Sequence, residues 1–90
     1  MRVLFTPRAW EDYLSWQVGD RKTLRRINAL IADIARGGEE GGADGIGKPE
    51  ALRHDLAGFW SRRIDQEHRL VYRVREGAIE IVACRYHYEP

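Results

Sequence analysis

Near the end of the chain, Arg85-Tyr86-His87-Tyr88 sets an imidazole between two phenols, two positions from a guanidinium. Farther back, Arg63 and Arg69 flank a short turn and can present two guanidiniums to one anion. Imidazole exchanges protons near neutral pH. Guanidinium offers a planar fork of donors that matches phosphate. With a carboxylate added, this set suits metal-free cleavage of an RNA phosphodiester, in which the 2′-OH attacks the adjacent phosphorus. That reaction needs a base, a proton donor for the leaving oxygen, and cations for the developing charge. A plainer reading stays open at each position. A terminal Tyr-His-Tyr closes a hydrophobic core equally well, and Arg62, Arg73 and Arg75 can lay their stems on apolar surface with their heads in water. His54 and His68 read as surface or capping residues. One cysteine, Cys84, and three scattered histidines give no metal-ligand spacing. There is no GxxxxGK[ST] loop, GxSxG elbow or paired-cysteine motif, so neither metal nor cofactor is expected.

These side chains sit in a chain of 90 residues, enough for one domain, residues 1–90. A domain this small buries only about 60 % of its unfolded surface, so its core is thin. Hydrophobic residues make up 43 % and charged residues 32 %, as in ordinary globular proteins. Fifteen cations nearly balance fourteen anions, but thirteen of the cations are arginine, Lys22 and Lys48 being the exceptions. A lone cysteine fits a reducing cytoplasm. The N-terminal residues lack the apolar core of a signal peptide, and no apolar run approaches the roughly 20 residues of a membrane span.

The elements that must position the site follow from periodicity and punctuation. Val3-Leu4-Phe5 reads as a first strand. Thr6 caps a helix beginning at Pro7, where a missing N–H costs nothing. Trp10, Tyr13, Leu14 and Trp16 carry that helix to about Val18, and Gly19-Asp20 breaks it and caps a second. There Leu24, Ile27, Leu30, Ile31 and Ile34 form an apolar stripe that ends at Gly37-Gly38. Residues 37–47 hold six glycines among acidic residues and read as a flexible loop. Three strands follow, over 58–64, 68–75 and 79–86, joined by turns at Asp65-Gln66-Glu67 and Glu76-Gly77. Connections this short make neighbouring strands antiparallel. The expected fold is α+β, in the order β-α-α-β-β-β, an antiparallel sheet with a helical hairpin on one face. Alternation groups Phe59, Ser61 and Arg63 on one side of their strand, Arg69, Val71 and Arg73 on one side of the next, and Ile79, Ile81, Ala83, Arg85 and His87 on one side of the last.

Longer stretches carry a family resemblance. Trp10-Glu11-Asp12-Tyr13-Leu14, Gly47-Lys48-Pro49-Glu50, Gly58-Phe59-Trp60-Ser61-Arg62-Arg63-Ile64, Glu67-His68-Arg69-Leu70-Val71-Tyr72 and Ala83-Cys84-Arg85-Tyr86-His87-Tyr88, in this order, resemble the YoeB/Txe toxins of the RelE superfamily. The resemblance spans Met1 to Tyr88. It implies a toxin of a type II toxin–antitoxin pair that enters the ribosomal A site and cuts mRNA there. By position it implies Glu50 as general base, His87 as general acid, Arg69 as the phosphate-stabilising arginine with Arg63 in support, and Tyr88 as a substrate-placing residue. Lys48, Arg53, Arg62 and Arg85 are implied as substrate-binding cations, Arg53 standing where relatives often carry lysine.

It also implies partners: the ribosome with its mRNA, a YefM/Axe-like antitoxin whose disordered acidic C-terminal segment covers the basic site, and a second copy in a homodimer. Three departures stand out. The loop before Lys48 is longer and richer in glycine, Ala51 replaces a proline, and Glu89-Pro90 follows Tyr88. Two rival readings are a non-enzymatic binder that blocks the ribosome and a small nucleic-acid-binding regulator; the helix pair reads as a hydrophobic hairpin, not as a DNA-reading motif.

Overall fold

The computed structural model describes residues 1–38 and 43–86. Strand β1 (Arg2–Phe5) leads into helix α1 (Pro7–Gln17) and helix α2 (Arg21–Arg36). A two-residue strand β2 (Glu50–Ala51) and a 3-10 turn (His54–Leu56) precede β3 (Trp60–Arg63), β4 (Arg69–Arg75) and β5 (Ala78–Ala83). Local chemistry sets the boundaries. The Thr6 hydroxyl accepts from the Ala9 N–H at 3.2 Å with Pro7 at the first helical position, and Asp20 Oδ1 accepts from Thr23 N–H at 2.9 Å. Glu76 and Gly77 both take positive φ, 54° and 73°, the conformation of a tight turn whose twist matches the strands it joins.

The α+β order holds, with two additions. The sheet has five strands in the order β1-β5-β4-β3-β2, and β1 runs parallel to β5, so the sheet is mixed where an antiparallel one was expected. No short turn joins β1 to β5, so no local signal in the sequence fixes their relative direction. Strand β2 escaped notice because two residues show no alternation. A bulge between Val71 and Tyr72 pairs them with Ala83 and Ile81, leaving Val82 as the extra residue and bending the end of β5.

The helices cover one face. Ile27, Leu30 and Ile34 of α2 pack on Leu70, Tyr72, Ile79 and Ile81. On α1 the buried residues are Ala9, Asp12 and Trp16, while Trp10 and Leu14, expected in the apolar stripe, are 47 % and 41 % exposed. The helix turns the Asp12 carboxylate inward because it meets backbone, described below. A smaller apolar cluster, Leu52, Val71 and Ala83 with Phe59, lies on the other face. Among the described residues no helix is long and apolar enough to cross a membrane.

One inward-facing side chain of β3 is polar. Arg62 is 0 % exposed and spends every guanidinium nitrogen. Nε donates to Tyr72 Oη at 2.8 Å, Nη1 to Asp33 Oδ2 at 2.6 Å and the Ile46 carbonyl at 3.1 Å, and Nη2 to the Asp44 carbonyl at 2.7 Å. Asp33 Oδ2 also accepts from the Ile46 N–H at 3.1 Å. Hydrogen bonding to Arg62 holds the Asp33 carboxyl below the usual carboxylate range.

Removing one partner of a buried pair strands the other charge. Asp33→Ala should therefore destabilise the fold by about 3 kcal/mol in urea unfolding, the low end for such pairs because neutral acceptors remain around Arg62. A carboxyl held low contributes stability that is complete above its unfolded value of about 3.9 and fades as pH falls below it. The variant should thus lose less stability on acidification below pH ~4 than the parent. Equal stability of parent and variant at neutral pH would show that Arg62 does not need Asp33.

Candidate active site

Register assembles the outward face. Glu50 pairs with Ser61, Ser61 with Val71, and Arg63 with Arg69. Directly paired residues share a face, so Glu50, Ser61, Arg63, Arg69 and Val71 all point away from the helices. Glu50 stands one strand over and two residues along from Arg63, a diagonal of about 7–8 Å that long side chains span. Lys48 precedes it with φ 53°, its backbone tied to β3 through the Gly47 carbonyl, which accepts from Arg63 N–H at 2.7 Å.

The Arg63–Arg69 pair is electrostatically unusual, because like charges directly opposite on a sheet repel. Two other arginines on this sheet, Arg73 and Arg75, share the carboxylate of Glu80 at 2.9 and 3.0 Å, and those bonds hold the Glu80 carboxyl low, Arg75 contributing most. Among the described residues Arg63 and Arg69 have no such carboxylate. Arg69 Nη1 is steadied by the carbonyls of Asp65, Gln66 and His68 at 2.9, 3.3 and 3.1 Å. Neutral carbonyls orient a guanidinium without cancelling its charge. Two uncompensated cations, one of them held by carbonyls, on the same face as an exposed carboxylate can receive an anion.

The tail approaches the same place from the other edge. Asp12 Oδ2 accepts from Cys84 N–H at 3.0 Å, and Trp16 Nε1 donates to the Cys84 carbonyl at 2.8 Å. Arg85 lies over the Trp16 ring at 4.4 Å and donates to Ser15 Oγ at 2.8 Å. Tyr86 N–H donates to His68 Nδ1 at 2.7 Å, and the Tyr86 carbonyl accepts from Arg69 N–H at 3.0 Å. Between those two bonds Tyr86 adopts φ 68°, a left-handed conformation that costs a non-glycine residue about 1–2 kcal/mol. Burial pushes the Cys84 thiol up to about 12, so it serves the core and not as a nucleophile. His87 and Tyr88 lie outside the described residues.

Three comparisons bear on this arrangement. Residues 5–88 match the family model of the YoeB-like toxin of bacterial type II toxin–antitoxin systems. The Toxin YoeB of Streptomyces coelicolor is 54 % identical over 88 residues, covering 98 % of this chain and all of that one. The chain belongs to the YoeB toxin family. Among solved structures, a YoeB/ParE toxin from Agrobacterium tumefaciens superposes with a TM-score of 0.91 at 43 % identity, over 98 % of this chain and 100 % of that one. A YoeB dimer from Staphylococcus aureus superposes at 0.89 with 46 % identity, and a YoeB–YefM complex from the same organism at 0.88 with 45 %, each covering 98 % of both chains.

Within this YoeB-family fold, Glu50, Arg63, Arg69 and Lys48 share one neighbourhood, and Arg53 is exposed just past β2. Two expected substrate cations do not. Arg62 is enclosed on the helix side, because alternation turns it inward where its neighbour Arg63 turns outward. Arg85 is taken up by Trp16 and Ser15 on α1. The glycine-rich loop is likewise not free along its whole length. Residues 43–47 are fastened through Asp44 and Ile46 to Arg62 and Asp33. Asp12 and Asp33, which the sequence reading did not single out, do the fastening together with His68, which was expected as a surface or capping residue but is buried with its ring nitrogen on the Tyr86 amide. Asp12 gave one sign, a carboxylate four positions before a buried tryptophan on a helix.

Gly45 shows how closely the loop sits on that pair. It has φ 127°, and an added Cβ would collide with the Asp33 carboxylate and the Arg62 guanidinium. Gly45→Ala should cost about 1–3 kcal/mol by thermal or urea unfolding, whereas Gly19→Ala, where nothing lies within 4 Å, should cost far less. Equal effects at the two glycines would disprove the tight seat of the loop.

Proposed function

We propose that this chain is a ribosome-dependent endoribonuclease toxin that cleaves mRNA in the A site by general acid/base chemistry and thereby stops translation. The observation that carries the reading is the Arg63–Arg69 pair, uncompensated by any carboxylate among the described residues, with Glu50 on the same outward face. An anionic phosphodiester relieves the repulsion between the two arginines and brings a 2′-OH to the carboxylate.

In this mechanism Glu50 takes the 2′-OH proton as the 2′ oxygen attacks phosphorus. Arg69, with Arg63 beside it, stabilises the charge that builds on the phosphoryl oxygens. His87 gives its proton to the departing 5′ oxygen, leaving a 2′,3′-cyclic phosphate on one fragment and a 5′-OH on the other. Tyr88 places the substrate, and Lys48 and Arg53 hold neighbouring phosphates. An exposed, shallow site of this kind binds RNA weakly by itself, which fits a requirement for the ribosome to present the message. The toxin therefore works in the cytoplasm.

Its restraint would come from a YefM-like antitoxin, in line with the Staphylococcus aureus complex, through an acidic segment laid over the arginine pair. A homodimer like the Staphylococcus aureus one would cover the exposed Trp10 and Leu14.

The deciding experiment adds the purified chain to ribosomes translating a defined mRNA and maps the new 5′ ends. Glu50→Gln and His87→Ala should each slow cutting by about 10²–10⁴-fold, and Arg69→Ala by about 10²–10³-fold. Arg73→Ala, which loses the bond to Glu80 and the contact with the Phe59 ring, should leave the rate within a few-fold. Translation arrest without new mRNA ends, unchanged in Glu50→Gln, would replace the enzyme with a ribosome-blocking binder.

A further inference from the structure

His68 is a buried imidazole that touches none of the groups assigned to the reaction. It immediately precedes β4 at the end of the β3–β4 turn, where Asp65 Oδ1 accepts its N–H at 2.6 Å and its own carbonyl accepts from Ile64 N–H at 3.0 Å. Its ring stands edge-on to Trp16 at 4.9 Å and lies 5.9 Å from the Tyr86 ring. Its Nδ1 accepts the Tyr86 N–H at 2.7 Å. That bond demands an imidazole with a bare Nδ1, so the proton of the neutral ring sits on Nε2, which faces Glu67 Oε1 at 3.6 Å. A buried ring thus spends its single lone pair on one backbone amide.

The amide it holds belongs to a strained residue. Tyr86 takes φ 68°, uncommon for an aromatic side chain, and such backbone persists only where surrounding bonds enforce it. Two bonds do so: His68 Nδ1 grips its N–H, and the N–H of Arg69 grips its carbonyl. The backbone conformation of Tyr86 is therefore held by His68 and its sequence neighbour Arg69. The next residue is His87.

We propose that His68 is a positioning residue for the reaction described above: as a neutral acceptor at Nδ1 it fixes the left-handed turn at Tyr86, the residue that precedes His87 in the chain. The proposal rests on the acid role given to His87, and its first test does not depend on activity. His68→Phe keeps a ring against Trp16 but has no acceptor, whereas His68→Asn places Oδ1 near the position of Nδ1. Exchange of the Tyr86 amide, followed by NMR in the free protein, should be slow in the parent and in His68→Asn and markedly faster in His68→Phe. Equal protection in all three variants overturns the fastening, whether or not the protein cuts RNA.

The second test uses ribosomes translating a defined mRNA. His68→Phe should lower the single-turnover rate about ten- to a hundredfold, as a misplaced catalytic group does, with little change in the ribosome concentration needed for half-maximal cutting. His68→Asn should restore most of that rate. In a His87→Ala background, His68→Phe should cost almost nothing further, because both changes remove the same proton donor. A full further loss in that background, or an unchanged rate in His68→Phe with the amide released, overturns the positioning role. A parent protein that cuts no RNA overturns the acid role and this inference about catalysis, and leaves the exchange result to stand as a structural one.

Discussion

A guanidinium with no exposed surface must find its acceptors inside the protein, and Arg62 finds them on α2, on β4 and on the loop that leads to β2. Burying a charge is costly, and its pairing with Asp33 offsets that cost without guaranteeing a net gain. What the pair supplies is position. It ties α2 to the inner side of β3 and brings residues 43–47 to rest on both. From there the backbone passes through Gly47, bonded to Arg63, into the strand that carries Glu50. The outward carboxylate therefore takes its place from an inward cation.

The adjacent arginines of β3 divide the work by alternation alone. Arg62 points to the helices and is consumed by structure, while Arg63 points outward opposite Arg69 and is left charged. A comparable division appears at the tail. Helix α1 gives its buried carboxylate and indole to the backbone of Cys84, and these bonds hold the tail on the side of the sheet remote from β2. The open face is thus bounded by two attachments, made on different elements, and a disturbance of one leaves the other in place.

Much of the fold was legible because its signals are local. Thr6-Pro7, Gly19-Asp20 and Glu76-Gly77 each act within one turn, and the α2 stripe repeats five times over eleven positions. The parallel β1–β5 ladder, strand β2 and the bulge at Val82 depend on partners far off in sequence, and single-strand patterns carry no trace of them. The site divides in the same way. Alternation put Arg63 and Arg69 on definite sides of their strands, but only register could show that the sides coincide and that Glu50 joins them. The resemblance offered Arg62 and Arg85 a role in binding, but Arg62 is enclosed on the helix side and Arg85 is engaged by Trp16 and Ser15. A run of matching residues records that a side chain is retained, and says nothing about which face of the sheet holds it. Asp33 went unmarked and His68 was read as a surface or capping residue because their partners are a buried guanidinium and a backbone amide, neither of which has a sequence motif.

The parallel ladder bears on the order in which the structure can assemble. Residues 2–5 find their strand partners in residues 78–81, and the Asp12 carboxylate and Trp16 indole bond the backbone of Cys84. Contacts of that sequence separation form late, after the intervening chain is free to close on itself. A growing chain that still lacks β5 has an incomplete sheet and no anchor for the backbone at Cys84. The β2-β3-β4 ladder that aligns Glu50, Arg63 and Arg69 is closer in sequence, so the face and the anchor of the tail are laid down by contacts of very different range.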